Sequence, residues 1–370
     1  MAVPLLDLKA QHATIRDDVV AAMMAVVDAQ TFILGEPVAA LEAQVAKLSQ
    51  TRYAVGCANG TDALLLALRA LDVAHGDEVV TTPFTFFATA GAVHNVGGRP
   101  VFVDIDPRTF NIDPQAVGAA VTSKTKAVIA VDLFGQMAAV EQVAQASGSV
   151  PVIEDAAQTI GASRIVDGKR VMAGERAAIG TFSFFPSKNL GGYGDGGMMV
   201  CQDEGLYDAL MKLRTHGSRK TYYHEIVGYN SRLDTLQAAV LSAKLPHLEK
   251  WSGRRRENAA FYDAAFADVD GVTTPFVDAA NTSIYNQYTI RTTKRDALQA
   301  HLKEKGIGHA VYYPMPLHLQ ACFAYLGYRE GQCPESERAS QEVLSLPIYP
   351  ELTRAQLDEV VSAVRSFFGQ

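Results

Sequence analysis

The run YAVGCANGTDALLLALRALDVAHGDEVVTT (53–82) decides the fold. It opens on a short apolar stretch, YAVGC (53–57), and turns at Asn59-Gly60. It continues with helical spacing over 61–71 and returns to a second apolar run, DEVVTT (77–82). The same alternation spreads outward along the chain. RPVFVDI (99–105), KAVIAVDLF (126–134), VPVIED (150–155), IGTFSFF (179–185) and GMMVC (197–201) read as strands, and MAAVEQVAQAS (137–147) as a helix. Several of these strands are apolar on consecutive positions, which is expected where both faces of a sheet are covered. Strands alternating with helices predict an α/β domain built on a mostly parallel sheet.

The pattern changes after about residue 235. LQAAVLSAKLPHLEKW (236–251) has helical spacing but contains Pro246, which removes a backbone donor and breaks or kinks a helix. Helical spacing resumes at RRRENAAFYDAAF (254–266), with Ala259, Tyr262 and Phe266 on one stripe. YNQYTIRTT (285–293) reads as a strand and RDALQAHLKEKGI (295–307) as a helix ending at Gly306. The division expected is a large domain over 1–245 and a smaller α+β domain over 246–370. Trp251 is expected to pack between them.

Composition narrows the function. The 370 residues are 48% hydrophobic and 20% charged, with a formal net charge of −7, as in an ordinary globular protein. A negative field does not draw in nucleic acid or an anionic membrane, so neither is an expected partner. No signal peptide or membrane span is read, and the expected compartment is the cytoplasm. Cys57, Cys201, Cys322 and Cys333 form no CxxC pair, and the nine histidines have no metal-ligand spacing, so no metal site is expected. The basic runs 214–220 and 254–256 read as solvated or salt-bridging faces.

Three stretches carry candidate chemistry. In CANGTDAL, Gly60 permits close backbone approach and Thr61 or Asp62 can cap the following helix. Free N–H groups at such a start suit a phosphate, although the same residues also suit an ordinary capped turn. In PVIEDAAQ, Asp155 closes a buried strand, where α/β proteins bind ligands and where an acid can pair with a cationic ring nitrogen. It can equally cap the next helix. In TFSFFPSKNLGGYGDGG (181–197), Phe182 and Phe184 share one strand face, Ser183 and Phe185 the other. Pro186 stops the strand, and Lys188 follows in a glycine-rich turn. Partial desolvation there would lower the lysine pKa and free a nucleophilic amine.

CANGTDAL, TPFTFFAT, VIEDAAQ, FSFFPSKNLGGYGDGG and GYNSRLDTLQAA, followed by VYYPMPLH (311–318) and SLPIYP (345–350), fall in the order seen in the DegT/DnrJ/EryC1/StrS nucleotide-sugar aminotransferases. The chain resembles that family over nearly its whole length. The resemblance implies the fold-type I, aspartate aminotransferase-like architecture and a homodimer with shared active sites. It also implies pyridoxal 5′-phosphate as cofactor, passing through pyridoxamine phosphate. Carried over, Lys188 matches the Schiff-base lysine that also moves the proton. Asp155 matches the acid at the pyridine nitrogen, Gln158 the residue near the phenolic oxygen, and Phe86 the aromatic that stacks on the ring. Gly60, Thr61 and Ser183 match phosphate-binding positions, and Asn230 an asparagine reaching the phosphate from the neighbouring subunit. Arg232, Tyr312, Tyr313 and His318 match places that contact the sugar nucleotide or the amino donor. Many relatives carry His where this chain has Tyr312.

The activity so implied is transfer of an amino group from L-glutamate to a keto sugar on a nucleotide, at C3 of a UDP- or dTDP-linked hexose. The C4-keto position is the alternative. Sugar dehydratases of the same fold replace the lysine by histidine, and Lys188 argues against them. A non-catalytic binding or regulatory protein on this fold need not keep Asp155, Gln158 and Lys188 together. A nucleotide-dependent dehydrogenase lacks support, because no GxGxxG follows an early strand.

Overall fold

A computed structural model describes residues 2–369. Its central sheet has seven strands in the spatial order Tyr53–Cys57, Gly197–Cys201, Ile179–Ser183, Val152–Asp155, Thr125–Val131, Glu78–Thr81 and Arg99–Phe102. Gly197–Cys201 pairs antiparallel with both neighbours, and the other pairings are parallel. All seven strands read from the sequence are present, most trimmed by a residue or more at their ends.

Consecutive apolar residues in these strands serve opposite faces. Val79, Ile129 and Met199 join one buried cluster, which includes Leu64 and Leu68 of the helix Gly60–Ala70. Val80, Val128 and Ala130 join a second cluster, and Met198 and Val200 a third. Phe182 and Phe184 are fully buried together, while Phe185 is exposed. The alternation therefore continues two residues past the strand's last ladder pair.

Beyond the sheet, the helix Thr235–Lys244 gives way at Leu245–His247 to one 3-10 turn containing Pro246, and Leu248–Phe266 then forms a long helix. Ala259, Tyr262 and Phe266 are buried together, as their spacing predicts. Tyr288–Arg291 pairs with Val343–Leu346, and the helices Arg295–Glu304 and Arg354–Phe367 pack on this ribbon. Val3 bridges to Ile307 and joins the same cluster, so the start of the chain is tied to its C-terminal part.

Some features differ from the sequence reading. The helices Leu8–Ala29 and Glu36–Leu48 precede the sheet, and the hairpin Ser163–Val166/Lys169–Met172 follows the strand ending at Asp155. Trp251 packs with Ile15, Val19 and Val240, all on the 1–245 side of the expected division, so it does join the two parts, against a first helix that the sequence reading lacked. Two arginines of the basic runs are interior. Arg214 is bound to Glu42 and to the Gly56 carbonyl, and Arg255 donates to the carbonyls of Tyr285, Asn286 and Ile348. Guanidinium groups tolerate such sites because several carbonyls can share their donors. Among the described residues, no helix is long and apolar enough to cross a membrane.

Candidate active site

The C-terminal ends of the parallel strands open onto one cavity of about 630 Å³. Gly60 and Thr61 reach it from the helix start that follows the first strand, Phe86 from the loop after Thr81, Asp155 from the end of the fifth strand in chain order, and Gln158 from the turn after it. Ser183 and Lys188 reach it from the strand Ile179–Ser183 and its turn, and Tyr312 and Tyr313 from the C-terminal part. The cavity thus gathers nine of the twelve residues singled out from the sequence.

The helix start at Gly60 is built for close approach. Asn59 is the cap, not Thr61 or Asp62. Its side-chain oxygen accepts from Asp62 N–H at 2.8 Å, and its carbonyl accepts from Ala63 N–H at 3.0 Å. Asp62 turns away to accept from the Ser231 hydroxyl at 2.6 Å. Among the described residues, the N–H groups of Gly60 and Thr61 have no protein acceptor. A Cβ on Gly60 would lie 2.6 Å from Ser183 Cβ. Only glycine lets two free donors and the Ser183 hydroxyl share so small a space, which an anion can fill.

Asp155 is 5% exposed. Its Oδ2 accepts from the Thr89 hydroxyl at 2.8 Å, and Thr89 in turn meets Thr85 at 3.0 Å. Burial raises its pKa, opposed by the Thr89 hydrogen bond and by the charge of Lys188. Burial of Lys188 lowers its amine to about 8, with Asp155 pulling it back up. Desolvation therefore makes each charged form costly and the pair responsive to a third group placed between them. Gln158 is fixed by Phe134 N–H, which donates to its Oε1 at 2.7 Å, while its Nε2 faces the Tyr313 hydroxyl at 3.4 Å. Phe86 is 58% exposed, with its ring 6.3 Å from that of Tyr313. It is an apolar lid with a free face.

Three residues lie elsewhere in the chain. Asn230 is exposed and bridges to Thr215. Arg232 is half-buried beside it and does not line the cavity. His318 is buried, its Nε2 at 3.0 Å from Glu337, with Tyr328 against its ring. Glu337 also accepts from Gly331 N–H, so His318 is part of a closed interior knot.

Sequence reasoning missed Thr85, Thr89, Asp132, Asp195 and Gln287. Four of these line the cavity, and Thr89 holds Asp155. TPFTFFAT contained both threonines, but nothing in its spacing points to an acid 66 residues away. Asp132 accepts from Ala138 N–H and the Thr159 hydroxyl, and burial lifts it to about 7 beside Glu154, itself pushed up by burial and by Asp132.

Comparison with known proteins identifies the family. Residues 13–365 match the DegT/DnrJ/EryC1/StrS aminotransferase family. A "pleiotropic regulatory protein" of Geobacillus stearothermophilus is 51% identical, covering 100% of this chain and 99% of that protein. A UDP-N-acetyl-3-dehydro-alpha-D-glucosamine 3-aminotransferase of Acidithiobacillus ferrooxidans is 45% identical, covering 98% and 97%. The crystal structure of S. venezuelae DesV in complex with a ketimine intermediate superposes with a TM-score of 0.96 at 39% identity, covering 100% and 99%. Such a match spans the helix start, the strand-end acid and the lysine turn together, and the chain belongs to the DegT/DnrJ/EryC1/StrS aminotransferase family.

Proposed function

We propose that this protein is a pyridoxal-phosphate-dependent aminotransferase that moves an amino group from L-glutamate to the C3 keto group of a UDP- or dTDP-linked hexose in amino-sugar biosynthesis. The observation that carries this reading is the meeting of Lys188 and Asp155 in one cavity behind a helix start with free donors. The 3-keto assignment rests on the relative that acts on a 3-dehydro sugar nucleotide.

The residues fit the cofactor. When bound, pyridoxal phosphate supplies an aldehyde for an amine and a ring that accepts the electron pair left when Cα loses its proton. Gly60, Thr61 and Ser183 would hold its phosphate, and Phe86 would cover a ring face. Asp155 would hold a proton on the ring nitrogen by its charge, and Gln158 would face the phenolic oxygen. Lys188 would hold the aldehyde end through its amine, and the same amine is placed to serve as the base for the Cα proton.

The reading also requires a second copy of the chain. Lys188 is the one cation among the described lining residues, against Asp132, Asp155 and Asp195. A phosphomonoester brings a charge near −1.5 to −2. Asn230 and Arg232 lie off their own cavity, where they can serve a neighbour in a homodimer. Cofactor retention is then expected to follow the dimer fraction on dilution. Sedimentation with absorbance detection checks this; a monomer holding cofactor as tightly as the dimer would end the shared-site reading.

One comparison favours a second reading, since the relative from Geobacillus is named a regulatory protein. L-Glutamate separates the two. An aminotransferase is expected to release one 2-oxoglutarate per site and leave pyridoxamine phosphate bound, and a binder releases none. The pyridoxamine form is then offered 3-keto and 4-keto nucleotide sugars. Return of the visible absorption with 3-keto sugars is the expected outcome; a response to 4-keto sugars alone would move the reaction to C4.

A further inference from the structure

The loop that carries Lys188 has a second buried lysine beneath it. Lys244, on the helix Thr235–Lys244, is 3% exposed and has no carboxylate within 4 Å among the described residues. Its Nζ donates to the Gly191 carbonyl at 2.7 Å and lies 4.4 Å from the centre of the Tyr193 ring. Burial lowers its amine to about 8. A lysine held this way costs stability, because no ion pair offsets the loss of water.

Its contacts fall at the base of the lysine turn. Gly192 N–H donates to the Phe184 carbonyl at 2.8 Å and closes the loop, and Lys188 N–H donates to the Phe185 carbonyl at 2.8 Å. Gly191 is pressed against Pro186, where a Cβ would lie 2.3 Å from the carbonyl oxygen. Gln237, about two turns earlier on the same face of the helix that carries Lys244, accepts from Tyr193 N–H at 2.8 Å, and the Tyr193 hydroxyl meets His12 of the first helix. The loop is therefore gripped at Gly191 and Tyr193 by a single helix, with Gly192 between them bonded back to Phe184. Its apex at Lys188 is free to face the cavity.

We propose that Lys244 is a positioning residue that fixes the glycine-rich loop, and through it the amine of Lys188, by its bond to the Gly191 carbonyl and its charge on the Tyr193 ring. The inference rests on the cofactor assignment above only for its binding readout. The loop readout is made on the protein without cofactor and stands apart from that assignment.

The test compares Lys244→Met, which keeps the bulk and removes donor and charge, with Lys244→Arg, which keeps both. Hydrogen exchange at the amides of Gly192 and Tyr193, the melting temperature, and the dissociation constant for pyridoxal phosphate are measured for each. Lys244→Met is expected to speed exchange at those two amides about tenfold and weaken cofactor binding about tenfold, with no fall in melting temperature. Lys244→Arg is expected to recover part of both. Wild-type exchange in the methionine variant would overturn the proposal. So would faster exchange across the whole sheet with a matching fall in melting temperature, which marks a purely structural role. Failure of the wild-type protein to bind pyridoxal phosphate would overturn the functional assignment but leave the exchange result to decide the clamp.

Discussion

Lys188→Ala is expected to lower release of 2-oxoglutarate from L-glutamate about ten-thousandfold, the upper end of what one positioned acid–base group supplies. The reason lies in the amine's surroundings. With its pKa near 8, roughly a tenth of the amine is neutral at pH 7, against about three in ten thousand for a lysine in water. Alanine removes both the anchor for the aldehyde and the base that takes the Cα proton. The cavity walls are left intact, because Lys188 is on a turn rather than in the core. Single-turnover release of 2-oxoglutarate and the visible spectrum of the loaded protein check this. Partial rescue by a small primary amine is expected. A variant with the wild-type spectrum and rate would remove Lys188 from the chemistry.

Asp155→Asn is expected to cost about a thousandfold in the same half-reaction with little change in fold. Two opposite charges about 4 Å apart at an effective dielectric near 20 attract by about 4 kcal/mol, close to three powers of ten in rate. Asparagine keeps the shape and can still meet the Thr89 hydroxyl. It cannot hold a positive ring nitrogen by charge. The sign of the pH effect follows from burial, which raises the Asp155 pKa in the empty cavity. A raised acid pKa means that the charge of Asp155 is lost as pH falls at a higher pH than for a carboxylate in water, so the rate of the half-reaction should fall on the acid side from a pH above the ordinary carboxylate range. That acid limb should be missing in Asp155→Asn. An identical pH profile and an equal rate in the two proteins would rule out an ionic role for this residue.

The large-scale plan was legible because each buried strand announces itself as a run of apolar residues between turn residues. YAVGC and GMMVC coincide with Tyr53–Cys57 and Gly197–Cys201 to the residue. The helix Leu8–Ala29 carried a usable signal, with Ile15, Val19 and Val26 buried at helical spacing, and reading it would have named the residues against which Trp251 packs. The hairpin at 163–172 was harder. Arg164 is paired with Glu141 and Asp278, so a charged residue stands where alternation would ask for an apolar one. At the cavity, Lys188 stood out through its glycine frame and Asp155 through its strand end. Thr89 and Gln287 had no such frame. Their roles arise from strand order, which brings distant segments together and leaves no mark on local spacing.

That strand order also sets a schedule. Within the sheet, Tyr53–Cys57 has one neighbour, and Cys57 pairs with Gly197. On a ribosome adding 5–20 residues each second, the first strand waits roughly ten seconds for a partner synthesised about 140 residues later. The helix start at Gly60 likewise waits for Ser183, which is synthesised about 120 residues later. Nascent chains shorter than about 200 residues therefore have an unpaired apolar edge, and this is the interval in which a chaperone has most to protect.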